Sequence, residues 1–231
     1  LQWTNYVDTI RHVIIPTGGR PSGSPYGDGN ILIKGAGEPS NWTFLSLLIH
    51  EYLHFREPQG SGSMSWIYEA VPEYYAALLL YEQGVINENT FRRRITPEID
   101  EKVVISDVGG DEYSYLYTKG RRILGALDAE IRLSTNGSHT LQEVFAHTVT
   151  GRGHDLNTYK QIINNLTGDS FDQWLERYVT TTATPEVPKV DMSMIPSELS
   201  SDADNDGLTK QEELKNNTSP ILQNNESGSQ E

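Results

Sequence analysis

The spacing of apolar and polar positions opens with two short β-branched runs, residues 11–16 and 30–34, each bounded by Gly or Pro. They predict two strands joined by a Gly/Ser/Pro loop at 17–29. Phe44–Phe55 is almost continuously apolar and reads as a buried helix, with Ser40 or Asn41 placed to cap it. A Gly/Ser-rich loop at 59–65 leads to a second apolar helix, Trp66–Leu80, which ends at Gly84. Asn87 begins a short helix whose Arg92, Arg93 and Arg94 read as a solvated face, and 96–112, with Pro, Asp and Gly-Gly, reads as a loop over the cleft. Apolar positions return at helical spacing from about Leu116. A capping box from Thr140 to Glu143 predicts a helix to about Val149, Asn157 a helix through Leu166, and Ser170–Gln173 a last helix through Val179. The fold class this implies is α+β and mainly helical, with a short N-terminal sheet and a helical C-terminal layer. It occupies residues 1–180, and 181–200, rich in Thr, Pro, Ser and Glu, reads as a linker.

Composition narrows the chemistry. At 231 residues the chain suits one sizeable core plus an appendage. It has no cysteine, so a metal must be held by His and carboxylate. A formal charge of −14 argues against nucleic acid, whose phosphates call for Lys and Arg. No run of eighteen apolar residues exists, so no membrane segment is expected in this chain. Residue 1 is Leu, and the sequence reads as a processed or excised segment, a monomer in an extracellular or cell-surface setting.

Candidate chemistry centres on His50-Glu51-Tyr52-Leu53-His54. Four residues is just over one helical turn, so His50 and His54 lie one above the other and can point two imidazoles at one cation. Glu51 leaves the same helix toward the cation's open position, which is the HExxH zinc-protease arrangement with the glutamate as general base. A catalytic zinc takes three protein ligands and leaves a fourth position for water. The second helix carries two carboxylates four apart, Glu69 and Glu73, and either could be the third ligand.

Trp66, Glu69, Ala70, Glu73 and Tyr74 fit W-x-x-E-[GA]-x-x-[ED]-Y position by position. In this the sequence resembles the gluzincin metallopeptidases of the zincin fold. The resemblance implies that Glu69 is the third zinc ligand and that Glu73 supports a ligand histidine from behind. Fourteen residues (55–68) separate His54 from Glu69. The aminopeptidase N branch has about eighteen, which is the spacing to Glu73. Tyr117-Thr118-Lys119-Gly120 is similar to the Y-x-K-G motif of the aminopeptidase N and glycyl aminopeptidase families. That implies Tyr117 as oxyanion donor, with Tyr113, one turn earlier, in reserve. Residues 141–174 are similar to the C-terminal helices of glycyl aminopeptidases, so the likeness spans about residues 42–180. In zincins an edge strand before the HExxH helix binds the substrate backbone, and 30–34 is the segment expected there. The exopeptidase signature GxMEN is missing; Gly35–Glu38 is only an echo of it. His139, His147 and His154 are further possible donors, each read first as a surface or capping residue, and His12 reads as structural.

Residues 201–220 hold Asp202-Ala203-Asp204-Asn205-Asp206-Gly207 and, six positions on, Glu213, a full match to D-x-[DN]-x-[DN]-G-x₅-E. Asp202, Asp204, Asp206, the Leu208 carbonyl and Glu213 supply oxygens for calcium, and Gly207 makes the turn. The loop resembles calcium repeats of the thrombospondin type 3 or dockerin kind. Residues 221–231 read as a disordered tail. The expectation is therefore a secreted or cell-surface zinc metallopeptidase that also binds calcium and acts on peptide or protein substrates. Its rival is a non-catalytic surface module with a structural zinc, which a closed four-ligand site would favour.

Overall fold

A computed structural model describes residues 12–14, 22–26, 30–34, 42–55, 61–99, 102–108, 114–148 and 154–189. They form a mainly helical α+β fold. The sheet has the order β1-β3-β2, with β1 (His12–Ile14) parallel and β2 (Ser22–Tyr26) antiparallel to β3 (Asn30–Lys34). β3 alternates in burial, and Ile31 and Ile33 on its inner face pack with Phe44 of the first helix, α1 (Trp42–Leu53). Two sequence expectations change here. The supposed loop at 17–29 contains β2, whose Ser-Gly-Ser-Pro-Tyr has neither β-branched residues nor alternation. Residues 30–34 are the central strand, so they cannot add a substrate strand; among the described residues the edges are β1 and β2, and β2 is the one that packs on α1.

α2 (Ile67–Glu82) lies at the centre of the helical layer and buries eleven of its sixteen residues. A helix apolar on nearly every side needs neighbours all round it. It packs against α1, α3 (Glu88–Ile95) and α4 (Arg121–Ser134), while α5 (Leu141–Ala146), α6 (Leu156–Thr167) and α7 (Asp172–Val179) complete the same core. Burying each Ile or Leu contributes about 1.5–3 kcal/mol, which offsets the buried Pro72 inside α2. The helix ends as expected near Gly84, which takes φ +66°, and the Val85 N–H returns to the Leu80 carbonyl at 2.9 Å.

Buried polar groups fix how the helices meet. Asp128 of α4 accepts from the Tyr74 hydroxyl (2.5 Å), Arg132 Nε (3.0 Å) and the Leu141 N–H (2.9 Å), joining α2, α4 and the start of α5. Thr140 stands at the N-cap of α5 without a side-chain cap bond, and the Glu143 carboxylate pairs with His139 Nδ1 at 2.6 Å rather than turning back to the Thr140 N–H. Asp155 takes the capping place expected of Asn157, accepting from the Thr158 N–H. Of the residues expected as linker, 181–189 lie against the domain: Arg122 donates to the Pro185 carbonyl at 2.8 Å, and Val187 packs on the main core. Arg94 also departs from the solvated face, turning inward to the Glu73 carboxylate (3.5 Å) and the Trp42 ring (5.2 Å).

Candidate metal centre

His50 lies in the last turn of α1, and His54 follows in the turn that closes it, its N–H reaching the His50 carbonyl at 3.4 Å. The helical rise therefore brings the two Nε2 atoms face to face at 3.1 Å. Glu69, in the first turn of α2, brings Oε2 to 3.3 Å from His50 Nε2 and 3.5 Å from His54 Nε2. His50 and Glu69 are 4% and 6% exposed. Three donors around a tetrahedral zinc, with bonds of about 2.0–2.1 Å, sit about 3.3–3.4 Å apart. The observed triangle has that size, and its donor types are the nitrogen and oxygen ligands zinc accepts, so these residues fit the ion.

Glu73, one turn beyond Glu69, sits behind this triangle. Its Oε1 lies 3.4 Å from His50 Nδ1, while Oε2 accepts from Arg121 at 2.6 Å. Burial would raise the Glu73 carboxyl, but the His50 hydrogen bond and the Arg121 and Arg94 charges outweigh it and hold it below its ordinary value. Burial would likewise lower the His50 imidazole; its bonds to Glu69 and Glu73 prevail and push it up to about 9 in the metal-free protein. Glu51, 4% exposed, has its carboxyl raised chiefly by burial, with His50 and His54 opposing.

The sheet reaches this centre through β2. A Cβ built on Gly23 would stand 2.3 Å from Glu51 Oε1 and 2.5 Å from its Cδ, so any side chain there would have to push the Glu51 carboxylate or the strand aside. On the opposite side the Leu116–Gly120 segment is a π-turn. Gly120 lies against Ala70, where an added Cβ would come within 2.7 Å of the Ala70 Cβ. That close approach brings the Tyr117 ring onto His50, with centroids 5.9 Å apart and planes 30° from parallel. Tyr68 stacks in the same way on His54, at 4.7 Å, and is 40% exposed.

No family model matches the sequence, and no curated protein matches it. Among solved structures, the chain is similar to the crystal structure of an aminopeptidase N family protein from Idiomarina loihiensis, with a TM-score of 0.58 and 16% identity. The likeness is one of fold. It covers 78% of this chain and 39% of the other, so this chain spans about two-fifths of the length of the protein it matches.

The structure thus brings His50, His54 and Glu69 together, with Glu51, Glu73 and Tyr117 around them. His139 bonds Glu143, His147 ends α5 in an exposed position, and His154 stands edge-on to Tyr159. Tyr113, the His12 side chain, Gly35–Glu38 and the calcium loop Asp202–Glu213 lie outside the described residues. Sequence reasoning missed Gly23, Tyr68, Arg94 and Arg121; Tyr68 alone had a signal, as the neighbour of a candidate ligand. Two outcomes are expected. Gly23→Ala should displace Glu51 or β2 and retain zinc by metal analysis, while any hydrolytic activity falls by about 10² or more. Because the metal-free imidazole holds its proton up to about pH 9, zinc binding at neutral pH should release roughly one proton. Apparent affinity then rises with pH and levels off above that value, which calorimetry in buffers of different ionisation enthalpy measures.

Proposed function

We propose that this chain is a zinc metallopeptidase domain that hydrolyses peptide bonds. The observation that carries the reading is the triangle of His50, His54 and Glu69, whose sides of 3.1, 3.3 and 3.5 Å match three corners of a zinc tetrahedron. Three protein ligands leave a corner for water, which favours catalysis over the closed four-ligand site of a structural module. Zinc held there would supply a Lewis acid and would acidify the attacking water toward pH 7. Glu51 takes the proton from that water and returns it to the leaving amine, a transfer suited to a carboxyl held above its ordinary range. Tyr117, stacked on His50, donates its hydroxyl to the carbonyl oxygen as charge gathers there. Glu73 holds the His50 ring through Nδ1. The aminopeptidase N family likeness supports a peptidase-like scaffold.

The substrate is a peptide or protein, and the chain acts as a monomer outside the cell or on its surface. The charge of −14 and the loop Asp202, Asp204, Asp206, Leu208 and Glu213 support that setting, since millimolar extracellular calcium fills even a weak site of this kind. Among the described residues no helix is long and apolar enough to cross a membrane.

Glu51→Gln should keep zinc and lose at least about 10² of its peptide cleavage; unchanged turnover would sink the base assignment. Glu69→Ala should empty the metal centre, whereas Glu73→Ala should weaken zinc by about 10–100-fold, and the reverse ranking would exchange their roles. Calorimetric titration of the full chain should show one calcium per chain, lost in Glu213→Gln. An undiminished signal in that variant would remove the loop from the reading.

A further inference from the structure

Lys119 is 0% exposed, and its ammonium donates to backbone carbonyls of Val103 (2.6 Å), Thr182 (3.1 Å) and Thr181 (3.3 Å). The acceptors come from two distant places: one precedes the 3-10 turn Ile105–Asp107, the others follow α7. An ammonium has three donors, and these carbonyls from two separate segments accept from it. A buried cation is costly to desolvate, and a Leu or Met would remove that cost but leave the Val103, Thr181 and Thr182 carbonyls without this donor. The ammonium therefore ties two segments distant in sequence to the turn that carries it, which fixes a geometry.

The geometry in question is the π-turn Leu116–Gly120, which carries one residue more per turn than an α-helix. Relaxation to the α-helical register would turn the N-terminal end of the segment, Tyr117 included, by up to about 100° relative to Gly120, taking the Tyr117 ring off His50. Gly120 against Ala70 fixes one side of the turn, and the Lys119 ammonium fixes the other. We propose that Lys119 is a positioning residue: clamped by the carbonyls of Val103, Thr181 and Thr182, it locks the π-turn and so holds the Tyr117 hydroxyl at the metal centre. The proposal rests on the reading of Tyr117 as oxyanion donor, and it makes residues 181–182 part of the site's support.

The test is made on the full chain with ¹³Cζ-labelled tyrosine, the Tyr117 resonance being identified by its loss in Tyr117→Phe. In Lys119→Met that resonance should move toward an exposed tyrosine's position while those of Tyr74 and Tyr159 stay in place. An unmoved Tyr117 resonance overturns the proposal. Should Lys119→Met not fold, Lys119→Ala is measured with propylammonium, which replaces the missing atoms, and with 1-propanol as neutral control. Return of the resonance with the amine alone supports the clamp; its failure to return, or its return with the alcohol too, overturns it. In zinc-loaded protein, Lys119→Met should lower kcat by about 10² with KM unchanged. In a Tyr117→Phe background it should cost no more than about twofold, and an equal loss in both backgrounds overturns the proposal. Absence of cleavage by the wild-type protein would count against the peptidase reading alone, because the resonance still decides the role of Lys119.

Discussion

Two imidazole nitrogens facing each other at 3.1 Å set the terms for this fold. One proton can bridge such a pair, but two lone pairs or two N–H groups repel, and the Glu69 carboxylate closes the same small space from a second helix. Burial makes each mismatch expensive, since water cannot relieve it. A divalent cation relieves all three groups at once. The remaining structure supplies the rigidity that holds them: α2, buried on nearly every side, carries Glu69, and α1, packed on α2 and the sheet, carries His50, with His54 in the turn that closes it.

Charge is arranged in depth around that point. Glu73 stands behind His50, and Arg121 and Arg94 stand behind Glu73, so positive and negative groups alternate away from the metal position. The two carboxylates on α2 stand in different surroundings. Glu73 is engaged by guanidinium groups and the far nitrogen of His50, while Glu69, one turn nearer the helix start, faces both Nε2 atoms. The shorter interval between His54 and Glu69 does not prevent this, because Glu69 needs only the first turn of α2 to reach the histidines.

What could be read from the sequence was whatever depends on helical periodicity. His50 and His54 had to share a face, and the same logic coupled Glu69 to Glu73. β2 gave no signal because Ser, Gly and Pro form a strand only where a neighbour supplies the bonds, and Gly23 was invisible without knowing that Glu51 lies against it. The acceptors of Lys119 are backbone carbonyls, which every residue has, so no side chain marks them. Arg94 shared a triplet with Arg92 and Arg93; which of them turned inward depended on helix phase against Glu73 and Trp42. Asp155, two residues ahead of Asn157, captured the cap of α6 through an error of register alone.

The poverty of β2 bears on how a polypeptide would be gripped. Pro25 brings no N–H to the ladder, and its Ser and Gly neighbours offer little apolar surface, so a second copy gains little by pairing along this edge. On the peptidase reading, the same restraint would weaken the hold on any guest strand and leave selectivity to side chains bordering the metal position, such as the half-open ring of Tyr68 on His54.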